Sequence, residues 1–183
     1  MARTAPPGSA SPQSRLGRTP LTLFALFVPG ALFVTGLFLV RDHPRFGWVR
    51  DLSAYPWEFW AVALFGGIAT LAGIADWRYH RSGKTTVGAA EHRSELLALV
   101  GGGVPLFGLM AAASVIDRPA LLLLPILIVV LATAVLICYD EFVFHRKRCG
   151  SYETILHRLL VFGNGLAWLA WVHWCFVRGD GHG

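Results

Sequence analysis

Charge is the scarcest ingredient of this sequence. Asp, Glu, Lys and Arg make up only 15% of its 183 residues, where a soluble domain carries about a quarter. Cysteine is scarce too: Cys138, Cys149 and Cys175 stand at no C-x-x-C spacing, so a thioredoxin-like or zinc-ribbon motif is excluded and no disulfide is expected. A phosphate-binding loop is also missing. Gly83-Lys84-Thr85 looks like its tail, but the first glycine of G-x-x-x-x-G-K-[ST] falls on Arg78 and no strand precedes it. The H-x-x-H-H boxes of membrane desaturases and hydroxylases do not occur either.

What fills the space is apolar. Hydrophobic residues make up 55% of the chain, and the mean hydropathy is +0.54. They come in blocks, at 21–40, 57–75, 96–116, 120–139 and 155–177, interrupted by charge only at Glu58 and Arg158 near two of the block ends. About 20 apolar residues at 1.5 Å each cross a hydrocarbon core of about 30 Å. Backbone groups in lipid must be satisfied internally, so the blocks read as helices. The expected fold is an all-α integral membrane protein with five transmembrane helices over 21–40, 57–80, 89–116, 120–146 and 152–177. A disordered basic arm at 1–20, rich in Pro, Gly and Ser, precedes them, and a short tail at 179–183 follows. The first block is too long for the apolar region of a leader peptide and has no A-x-A site behind it.

Orientation follows from Lys and Arg. Arg3, Arg15, Arg18, Arg78, Arg81, Lys84, Arg93, Arg146, Lys147, Arg148 and Arg158 fall on one side, 11 of the 16 basic residues. The positive-inside rule places that side, with the N-terminus, in the cytoplasm and the C-terminus outside. Trp48, Trp57, Trp60, Trp171 and Trp174 mark the outer boundary. The net charge of +5 is on this reading a topology signal, and no nucleic-acid partner is expected.

Spans 2–3 and 4–5 read as copies of one helix pair. Asp76-Trp77-Arg78-Tyr79-His80-Arg81 ends the second span and Glu141-Phe142-Val143-Phe144-His145-Arg146 the fourth, both acid, aromatic, any, aromatic, His, Arg. His92-Arg93 and His157-Arg158 then open the two return helices. Two spans restore direction, so the copies form an internal parallel repeat and a four-helix bundle, with span 1 outside it.

Each of four helix ends then carries one histidine–carboxylate pair on a single face: Asp76/His80, His92/Glu95, Glu141/His145 and Glu153/His157. Imidazole suits iron, zinc and copper, and carboxylates can bridge two ions and neutralise them. These eight residues are therefore the candidate metal ligands. The expected cofactors are two divalent ions, iron first, with zinc or manganese as alternatives. Soluble di-iron bundles use two lone glutamates and two Glu-x-x-His motifs, a pattern this chain does not follow. Bis-histidine haem would leave the carboxylates unexplained. Asp140, Asn164 and Cys138 are candidates for orienting a ligand or touching substrate. Gly73, Gly102 and Gly103 either allow close helix packing or line a slot for an alkyl chain. His43 and His173 fall on the outer side, away from the cluster, and are read as interfacial.

Three functions are compatible with this pattern. The first is a membrane oxidoreductase that hydroxylates or desaturates a lipid or other alkyl substrate, fed by an electron-donor protein. The second is a zinc-dependent lipid hydrolase. The third is a non-enzymatic metal-binding subunit or assembly factor of a membrane complex. Against all three stands a purely structural polar cluster in which acids and bases complement helix dipoles. Asp76, Asp140 and Glu141 oppose that explanation, because they sit near helix C-termini.

Overall fold

A computed structural model of the chain describes residues 19–81, 97–140 and 150–178. These form five helices and no strand. Helix α1 is Thr19–Val40, α2 is Trp57–Arg81, α3 is Val104–Val115, α4 is Ala120–Asp140 and α5 is Ser151–Val172. A π-helical segment, Leu97–Gly103, leads into α3, and another, His173–Val177, prolongs α5. Two short 3-10 segments, Pro44–Arg50 and Leu52–Ala54, join α1 to α2.

Three helices are long and apolar enough to cross a membrane: Trp57–His80, Ala120–Tyr139 and Ser151–Val177. The described apolar stretches of the other two, Phe27–Val40 and Val100–Val115, are shorter. The segment Leu97–Gly103, which ends in three glycines, takes the wider π turn before regular α geometry begins in α3.

The backbone of the fold is the pairing of α2 with α5. The two helices approach closely at Gly163, where a Cβ would stand 2.8 Å from the Phe65 carbonyl oxygen and 3.0 Å from the Ala69 Cβ. Only glycine permits that separation. Ala69, Ala72 and Leu156 are buried along the same seam. The α3–α4 hairpin is built on the same device, since a Cβ at Gly102 would collide with the Thr133 side chain. It joins α5 near the latter's C-terminal end, where Trp171 Nε1 donates to Ser114 Oγ at 3.0 Å and Cys175 Sγ lies 3.7 Å from the Ala113 carbonyl oxygen.

The hydrophobic core sits at that same end. Phe46, Ala113, Ile126, Trp171, Trp174 and Cys175 are buried together there. Trp48 and Trp174 each meet Phe59, at ring centroid distances of 4.8 and 4.9 Å, which ties the α1–α2 connection onto α5. Phe33 stacks on Phe59 at 5.8 Å and holds α1 against α2. The opposite end of the α2–α5 pair, where α2 finishes and α5 begins, is polar.

Candidate metal centre

Helix α2 continues past its apolar run to Arg81. That extra length puts Asp76 and His80 one turn apart on a single face. Helix α5 starts at Ser151, after Gly150 in an extended conformation, so Glu153 and His157 are likewise one turn apart. The two helices have opposite sequence directions, and the tight crossing at Ala69 and Gly163 lies six or seven residues away. The two pairs therefore face each other across the seam.

One ligand atom from each of Asp76, His80, Glu153 and His157 lies within 4.8 Å of all the others. His80 Nε2 is 3.2 Å from Glu153 Oε1 and 3.5 Å from Asp76 Oδ1. His157 Nε2 is 3.5 Å from the same Asp76 oxygen. Charge-assisted N–H···O bonds run nearer 2.7–2.9 Å. Four ligands about 2.0–2.2 Å from a tetrahedral ion stand about 3.3–3.6 Å apart. These three separations fall nearer the second spacing than the first, and the four atoms together stay within 4.8 Å.

Burial sharpens the point. Glu153 is 1% exposed, and neither of its carboxylate oxygens accepts a hydrogen bond among the described residues; Asp76 Oδ1 is in the same position. A buried carboxylate without hydrogen-bond donors costs several kcal/mol unless a counter-charge compensates it. With both imidazoles neutral the cluster carries two negative charges, the amount one divalent cation neutralises. Tyr79 and Tyr152, each next in sequence to a ligand, pack with ring centroids 5.5 Å apart beside the cluster.

The other candidates fall elsewhere. His92, Glu95, Glu141 and His145, and the side chain of Asp140, lie outside the described residues. Asn164 is exposed and donates from Nδ2 to the Leu160 carbonyl of its own helix at 3.0 Å, so it does not join the cluster. Cys138 is exposed. Gly73 is buried on the α2–α5 pair. The space at Gly102 is taken by Thr133, which makes that glycine a packing contact rather than part of a slot, whereas Gly103 faces open space.

One polar group was not assembled from the sequence. Glu58, in the first turn of α2, is fully buried; His173 Nδ1 donates to its Oε1 at 2.8 Å and Arg178 Nη1 to its Oε2 at 2.9 Å. His173 is thus not merely interfacial. The π turn brings this about: the Arg178 N–H bonds the His173 carbonyl, an i−5 step, and five residues in a π turn return closer to one face than five in an α turn. The readable signal was depth, since an acid in the first turn of one span and bases at the end of another fall at the same level.

Comparison of the chain with family models, with curated proteins and with solved structures finds no match in any of the three.

Proposed function

We propose that this chain is an integral membrane protein that binds a divalent metal ion through Asp76, His80, Glu153 and His157. One observation carries the reading: the Glu153 carboxylate is 1% exposed and accepts no well-formed hydrogen bond, among three other ligand side chains of the right type. In this proposal the chain crosses the bilayer five times with its N-terminus in the cytoplasm, spans 2–3 and 4–5 are parallel repeats, and the metal lies at the cytoplasmic face.

Mixed imidazole and carboxylate ligands suit iron, manganese and zinc. Four protein ligands leave two positions open on a six-coordinate iron. The function we infer is oxidation of an apolar, membrane-borne substrate. Hydroxylation of a C–H bond would consume dioxygen, two electrons from a cytoplasmic donor protein and two protons, and release water. His92, Glu95, Glu141 and His145 are the residues available for a second ion.

A second reading rests on the donor set of two imidazoles and two carboxylates, which zinc also accepts. Zinc closed by four protein ligands has no position left for water and acts structurally, which favours a non-enzymatic subunit over a hydrolase. Elemental analysis and an optical spectrum of detergent-purified protein separate the two. Stoichiometric iron with a charge-transfer band supports the oxidase, and stoichiometric colourless zinc supports the structural site. Metal content unchanged after His80→Ala plus His157→Ala would refute both.

A further inference from the structure

Asn164 is left unexplained by the metal centre. It lies six residues past Arg158 in the Ser151–Val177 span, about 9 Å further into the apolar stretch. It is exposed, among exposed Val161, Phe162 and Leu166. Its own-helix bond to Leu160 uses one N–H, whereas the amide can donate twice and accept twice. A polar side chain facing hydrocarbon is costly and is retained in spans that pair it. Gly165 next to it has no atom within 4 Å of where a Cβ would stand, so another backbone can approach closely there.

We infer that this face of α5 is a homodimer interface in which the Asn164 amides of two copies hydrogen-bond to each other. Depth decides the occupant. Lipid ester and headgroup oxygens stay near the edge of a hydrocarbon core about 30 Å thick, about two helical turns short of this amide. A different protein would need a polar residue at a matching level. A second copy inserted the same way supplies one automatically, because a two-fold axis along the membrane normal keeps both asparagines at one depth. The amide is also its own complement, offering a donor and an acceptor to its mate.

The inference rests on the membrane reading but not on the metal. The full-length chain, labelled with donor and acceptor fluorophores on its N-terminal arm, is reconstituted into phosphatidylcholine vesicles at a series of protein densities. Energy transfer should saturate as a dimer. Asn164→Ala should weaken association about 5- to 30-fold, the equivalent of about 1–2 kcal/mol of interhelical hydrogen bonding. Asn164→Gln, which keeps the amide, should retain most of it, and both variants should keep wild-type metal content and helicity. A wild-type chain that stays monomeric at every density, including one that pairs only with another membrane protein, overturns the inference. So does a dimer that Asn164→Ala leaves intact. Metal-free but dimeric protein would sink the metal reading alone, and a chain that stays in the aqueous phase without detergent would sink the membrane reading.

Discussion

Replacing Glu153 by glutamine removes one negative charge and almost no volume, which makes it the sharpest probe of the cluster. In the metal-free wild type this carboxylate is buried and accepts no well-formed hydrogen bond, so neutralising it should relieve about 1–3 kcal/mol of desolvation penalty. For a chain of this size 1 kcal/mol moves the melting temperature by about 2–4 °C. Chelator-stripped Glu153→Gln should therefore melt about 2–12 °C above stripped wild type. Added metal should reverse the order. At a free concentration one hundred times Kd, binding stabilises the wild type by about 2.7 kcal/mol, or about 5–11 °C, while the variant, short of a ligand and a charge, gains less than about 2 °C.

The assay is thermal unfolding in detergent, followed by tryptophan fluorescence, with iron(II), manganese(II) and zinc(II) tested separately. A cluster held by protonated His80 and His157 predicts the opposite pattern. Both carboxylates would then already be paired, so Glu153→Gln would lower the melting temperature and no metal would raise it. That result would refute the metal reasoning.

Two further outcomes test the frame around the site. Gly163→Ala puts a methyl 2.8 Å from the Phe65 carbonyl oxygen; the separation of α2 from α5 should cost about 1–3 kcal/mol and weaken metal affinity as well, measured by melting and by metal titration. Arg178→Met removes a charged hydrogen bond to the buried Glu58 and should cost about 2 kcal/mol. Metal affinity should be unchanged, because Glu58 and Asp76 are eighteen residues apart on α2, about 27 Å; a loss of affinity would show that the two ends of the pair are coupled.

How much of this was legible in the sequence depended on the range of the interaction. The i, i+4 pairs Asp76/His80 and Glu153/His157 are local, and helical periodicity alone puts each on one face. The helicity of the long apolar runs is equally local, because backbone groups there have no partner but one another. Which pair meets which is not local. It is set by the crossing of α2 and α5 at Gly163, and nothing in the linear pattern distinguishes that glycine from Gly165, which faces open space. The same holds for Asn164, whose side chain turns to its own helix's carbonyl.

The sequence by itself determined an all-helical chain of long apolar stretches with acid–histidine pairs at their ends, since hydropathy and period need no knowledge of neighbours. Only the tertiary structure decided that Asp76, His80, Glu153 and His157 converge and that Glu153 is sealed from solvent. It also brought Glu58, His173 and Arg178 together at the far end, through a π turn that shifts the register of α5. Burial and convergence belong to pairs of helices, and a one-dimensional pattern does not encode the distance between them.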